Sequence, residues 1–174
     1  LTHVELELGG NDACIALDDC DIDDAVNEAV AGRNYNSGQV CCSSKRFLVH
    51  NSIKEEFTRK LVEKVSAIVY GDPAKEEVEC GPLVNKNAVA ENLEHIRHSV
   101  EQGAKVLCGG KSDGDGRFFV PTVLGDVTPD MDVAKDLEIF APVWPVIGFD
   151  TDEEAVEITN QTMYGLSCGI NTKN

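Results

Sequence analysis

The chain has 174 residues, 42% of them hydrophobic and 26% charged, the balance of a single globular domain with a sizeable core. Thirty-one acidic against 15 basic residues leave a formal charge of -16. That excludes nucleic acid and anionic membrane as expected partners, because both are bound by Lys and Arg that neutralise phosphate.

No stretch approaches the roughly 20 apolar residues of a bilayer-spanning helix, and the opening LTHVELELGG lacks the basic and apolar regions of a secretory leader. The seven cysteines, at 14, 20, 41, 42, 80, 108 and 168, are odd in number and scattered, with no C-x-x-C pair. They argue against a disulfide framework and against a structural zinc site, and the cytoplasm is the expected compartment.

In chain order, residues 4–8 and 13–17 are short alternating or apolar runs separated by GGND, which predicts two strands and a turn. The period then changes: Ile22, Ala25, Val26, Ala29 and Val30 recur at three and four residues after an acidic start, predicting a helix that fades over residues 34–38. RFLVH, 46–50, predicts a strand. Asn51 or Ser52 is expected to cap a helix with Ile53, Phe57, Leu61, Val65 and Ile68 on its apolar face, ended by GDP at 71–73.

A third helix is expected over residues 85–102, with Val89, Leu93, Ile96 and Val100 inward and Gly103 as its stop. AKVLC predicts a strand, residues 109–117 a turn-rich loop, FFVPTVL at 118–124 an extended segment, and VWPVIGF at 143–149 a buried strand. A short helix from Asp152 and a closing strand in GLSCGI follow. This alternation predicts an α/β domain with an open, mostly parallel sheet flanked by helices.

Chemistry is concentrated in GQVCCSSKR, 38–46. A cysteine becomes a nucleophile where its thiolate is stabilised by a turn rich in backbone N–H groups or by nearby cations. Gly38 offers the turn, and Lys45 and Arg46 the cations. The opposing reading is a buried structural thiol. None of His3, His50, His95 and His98 stands where a Cys–His pair is expected, which leaves a carboxylate as base. Glu7, directly before Leu8, Gly9 and Gly10, is the candidate, against the plainer reading of a solvated strand charge. DDCDIDD at 18–24 and SDGDG at 112–116 lack the glycine and glutamate positions of a calcium loop, and no glycine cluster matches a dinucleotide fingerprint or P-loop, so no metal is expected.

LELGGND at 6–12, GQVC at 38–41 and LEIFAPV at 137–143 resemble, in this order, the three signature motifs in the catalytic half of the aldehyde dehydrogenase superfamily. GDP at 71–73, GPL at 81–83, the glycine pattern at 103–110 and FF-PT-L at 118–124 resemble the same family, so the likeness spans the chain. It implies Cys41 as nucleophile, Cys42 as a lining of the aldehyde pocket, and a partly desolvated Glu7 as general base. Leu8 and Gly9 would lie near the nicotinamide, and Glu138 and Phe140 would hold and pack against its ribose. The implied cofactor is NAD or NADP, the substrate a small-molecule aldehyde, and the full-length protein a homo-oligomer.

The resemblance also implies that residues 1–174 are the catalytic domain alone, without the coenzyme-binding domain and oligomerisation strand, and that this piece does not turn over by itself. GGND and SSKR lean toward the succinate-semialdehyde branch, whereas Tyr35 stands where some of its members place a substrate-binding arginine. Ala141 replaces the usual glycine of the third motif, and its methyl is expected to disturb a tight turn. Leu137, Ser43 and Ser44 also depart from the common pattern. The rival readings are a cysteine hydrolase or thioesterase and a non-catalytic binding module.

Overall fold

Strand β1 (Ala13–Ala16) is the first regular element of the computed structural model, which describes residues 2–113 and 116–174. Residues 4–8 are not a strand. They gain no ladder partner, and Val4, Leu6 and Leu8 are 69, 73 and 70% exposed, so the alternation that predicted a strand has no face to bury. Residues 114 and 115 of the turn-rich loop lie outside the described residues.

Helix α1 (Ile22–Asn34) starts where Asp21 accepts hydrogen bonds from the Asp23 and Asp24 N–H groups, at 3.0 and 3.2 Å. A 3-10 turn, Tyr35–Gly38, leads from it towards β2 (Arg46–His50). The cap of α2 (Asn51–Ala67) is neither Asn51 nor Ser52 but His50, whose Nδ1 accepts from the Ser52 N–H at 3.2 Å. An imidazole acceptor does here what a hydroxyl or amide oxygen was expected to do.

Helix α3 (Lys86–Glu101) is capped by Asn85, but its buried stripe is Val89, Asn92, Ile96 and Ser99, with Val100 exposed. The stripe is rotated from the apolar pattern, and Asn92 and Ser99 bond back into the helix, donating to the Ala88 and His95 carbonyls at 2.8 and 2.9 Å.

Strand β3 (Lys105–Cys108) follows, then a two-stranded ribbon of β4 (Ser112–Asp113) and β5 (Phe118–Phe119), then β6 (Thr122–Val127). The single extended segment expected over 118–124 is thus split. Pro121, lacking an N–H, stands at the break. Strand β7 (Val143–Phe149), helix α4 (Asp152–Thr159) and β8 (Cys168–Asn171) complete the fold.

The six-stranded sheet has the order β3-β6-β7-β2-β1-β8, parallel throughout except for β3 against β6. Both faces are covered, so neighbouring residues of one strand enter different cores. Phe47, Val49, Val123, Trp144 and Val146 pack with α1 and α2, while Leu48, Leu124, Val143 and Ile147 pack with Val89 and Ile96 of α3 and Ala155 and Ile158 of α4. Fully buried Trp144 donates its indole N–H to the Ala29 carbonyl at 2.8 Å, fixing α1 on the sheet. Among the described residues, no helix is long and apolar enough to cross a membrane.

Candidate active site

The turn after α1 has left-handed backbone at three successive residues: Asn36 (φ 48°), Ser37 (φ 56°) and Gly38 (φ 76°). Two non-glycine residues in that region are costly, and side-chain bonds hold them there. Ser37 Oγ donates to the Gly81 carbonyl at 3.1 Å, Asn36 Nδ2 to the Gln39 carbonyl at 3.1 Å, and Gln39 Nε2 to the Asn36 carbonyl at 3.0 Å. Gln39 Oε1 also accepts from the Val84 N–H at 2.8 Å, tying the turn to the GPL segment. The result is a braced bend that delivers Cys41.

Arg33 was not singled out in the sequence, yet it joins this bend to the third motif. Fully buried, it donates Nε to the Val143 carbonyl at 3.0 Å, Nη1 to Ser43 Oγ at 3.3 Å, and Nη2 to the carbonyls of Ile139 and, at 2.6 Å, Ala141. A buried polar group left unmade costs about 1–3 kcal/mol, so an arginine serving four acceptors outweighs the roughly 2 kcal/mol of rotamer entropy it loses. Burial pulls its guanidinium down and Glu138 opposes that shift. The signal was present in the sequence, since Val26, Ala29 and Arg33 continue one helical stripe.

The two cations expected beside Cys41 serve different ends. Arg46 turns away, donating to the carbonyls of Asn11 (2.6 Å), Ala134 (3.2 Å), Ile158 (2.8 Å) and Thr159 (2.9 Å). Lys45, 2% exposed, lies under the loop. Its ammonium donates to the carbonyls of Val40 (2.9 Å), Cys41 (2.8 Å) and Ser43 (3.2 Å), pairs with Glu138 Oε1 at 3.3 Å, and sits 5.9 Å from the Phe140 ring centroid.

Glycines allow the motifs to touch. A Cβ on Gly9 would fall on the Glu138 carboxylate, and one on Gly10 would lie 2.6 Å from the Cys41 carbonyl oxygen. Gly10 N–H donates to Glu138 Oε1 at 3.2 Å. Gly38 presses on the Ala141–Pro142 backbone in the same way. Ala141 itself is fully buried in the core and has no positive φ, so its methyl does not disturb a tight turn; it packs.

These contacts shape an open cleft of about 470 Å³, lined by Glu7, Leu8, Gly9, Gln39, Val40, Cys41, Glu138 and Phe140. Six of the seven residues assigned by resemblance therefore share one cavity. Cys42 does not line it; that residue is exposed, and its carbonyl accepts from Ser167 Oγ at 3.4 Å. Glu7 lies in the exposed segment before Gly9, so the desolvation expected for it is not supplied by this chain. No histidine is among the lining residues. His50 caps α2, and His98 on α3 bonds Asp132 at 2.7 Å. No cluster of three or more His, Cys, Asp or Glu with metal-holding geometry occurs among the described residues.

The sequence matches the aldehyde dehydrogenase family over residues 1–174. The chain belongs to that family. It is 39% identical to betaine aldehyde dehydrogenase of Cereibacter sphaeroides, over 98% of this chain and 35% of the relative. It is 40% identical to the crystal structure of succinate-semialdehyde dehydrogenase from Burkholderia pseudomallei, with TM-score 0.93 over 97% of this chain and 35% of that one. Glyceraldehyde-3-phosphate dehydrogenase from Methanocaldococcus jannaschii, solved with NADP, is 36% identical with TM-score 0.91, over 97% and 36%. The chain thus spans about a third of the length of these aldehyde dehydrogenases, and comparable identities to enzymes named for three aldehydes do not single out one of them.

Proposed function

We propose that this chain forms the catalytic part of an NAD(P)-dependent aldehyde dehydrogenase, oxidising an aldehyde to a carboxylic acid through a thioester on Cys41. The observation that carries the proposal is the shared cleft of Glu7, Cys41, Glu138 and Phe140. The same cleft fits the nicotinamide riboside end of the cofactor. Glu138 offers a carboxylate, 20% exposed, to sugar hydroxyls; Phe140, 39% exposed, offers a flat apolar face; and Gly9 keeps the wall beside them free of a side chain. The related enzyme solved with NADP supports that cofactor class.

The Cys41 sulfur adds to the aldehyde carbon, making a thiohemiacetal whose oxyanion needs donors where charge develops. The Cys41 N–H donates to no acceptor among the described residues and is available for that oxygen. NAD(P)+, when bound, supplies the hydride acceptor. Water then attacks the thioester carbon while Glu7 takes its proton, the C–S bond breaks, and the acid leaves with the thiol restored. Cys42 is exposed next to Cys41, and the resemblance alone assigns it to the aldehyde pocket.

The relatives' greater length supports a division of labour in which a separate coenzyme-binding domain provides most cofactor contacts and covers Glu7. The 174-residue chain is therefore expected to form no NAD(P)H with betaine aldehyde, succinate semialdehyde or glyceraldehyde 3-phosphate, while the full-length protein carrying it reduces NAD+ or NADP+ with some aldehyde. Sustained reduction by the chain alone would overturn the division of labour, and a full-length protein inert to a broad aldehyde panel would overturn the activity.

A further inference from the structure

Lys45 is a buried cation whose three N–H donors face the backbone of the loop that carries Cys41. Every peptide bond described is trans, so the carbonyl and N–H of one peptide unit point in opposite directions. The Val40 carbonyl and the Cys41 N–H belong to one such unit, and the Cys41 carbonyl and the Cys42 N–H to the next. An ammonium 2.9 and 2.8 Å from those two carbonyls draws both to the inner side of the loop and turns both N–H groups outward. It also polarises the peptide units, which makes the N–H groups stronger donors. The ion pair with Glu138, which also accepts the Gly10 N–H, fixes the ammonium against the other two motifs.

We propose that Lys45 is a positioning residue of the oxyanion site, aiming the Cys41 N–H group at the oxygen that becomes negative when the Cys41 sulfur adds to a carbonyl. The proposal rests on the reading of Cys41 as nucleophile. Lys45 touches no reacting atom and acts only through the peptide units it holds.

Two reactions of the same sulfur separate this role from a general structural one. Attack on p-nitrophenyl acetate forms a tetrahedral oxyanion and releases p-nitrophenolate, leaving an acetyl thioester. Displacement of iodide from iodoacetamide forms a C–S bond with no oxyanion. Neither needs the cofactor. In the full-length enzyme, Lys45→Met is expected to slow acetylation of Cys41 by about 10²-fold, the scale of losing one oxyanion donor. Its alkylation by iodoacetamide should stay within about threefold, far below that scale.

Lys45→Gln, which keeps two N–H donors but no charge, is expected to lie between the two and serves if the Met variant does not fold, as judged by circular dichroism. Equal losses in both reactions, or none in acetylation, would overturn the proposal. If Cys41→Ala leaves acetylation intact, the failure belongs instead to the assignment of the nucleophile.

Discussion

In the full-length enzyme, Cys41→Ala is expected to lower aldehyde oxidation by on the order of 10⁴-fold or more, the scale seen when a covalent nucleophile is removed. On the proposed mechanism no thiohemiacetal forms without a sulfur at this position, and none of the other six cysteines lines the cleft. Burial pushes Cys14 up to about 11 and also raises Cys20, Cys80 and Cys168, so these are poorer nucleophiles near neutral pH. The adjacent Cys42 is exposed but outside the cleft. If it borders the aldehyde's path as the resemblance implies, Cys42→Ala should change KM for the aldehyde more than kcat. Equal and large losses of kcat in both variants, with folding intact, would show that the pair acts as a unit and not through one sulfur.

The second large effect is expected at Glu7. If it takes the proton of the attacking water, Glu7→Gln leaves the first half of the reaction alone and slows release of the acid by about 10²- to 10⁴-fold. Rapid mixing should then show a burst of NAD(P)H, one equivalent per site, followed by a slow steady state. Loss of the burst in proportion to the steady rate would assign Glu7 to an earlier step or to binding. The exposure of Glu7 here makes the kinetics the decisive evidence, since no local burial marks it as a base.

Much of the fold could be read before the structure because three of the four helices open on a residue type that favours helix starts, α2 with its His50 cap being the exception. Asp21, Asn85 and Thr151 are side-chain caps, and the apolar periods of α1 and α2 match the cores they enter. The errors share a physical origin in tertiary context. Residues 4–8 carry a strand's alternation without a neighbouring strand, and α3 buries Asn92 and Ser99, which bond back into the helix. Pro121 divides what hydrophobicity presented as one segment.

The site was legible through motif order, which nominated Glu7, Cys41 and Glu138. What joins the motifs was not, because Arg33 and Lys45 bond backbone carbonyls, and a carbonyl has no letter in a sequence. Two lysine or arginine residues side by side, as at 45 and 46, give no hint that one braces the cleft while the other crosses towards α4.

The most direct test of the account is the mass and position of the acyl group during turnover. Acid quenching of the full-length Glu7→Gln enzyme with NAD(P)+ and its aldehyde, followed by proteolysis and peptide mass mapping, should find the aldehyde's mass less two hydrogens on the peptide bearing Cys41, and on Cys41 within it. An acyl group on Cys42, or NAD(P)H formed with no acyl group on any cysteine, would contradict it.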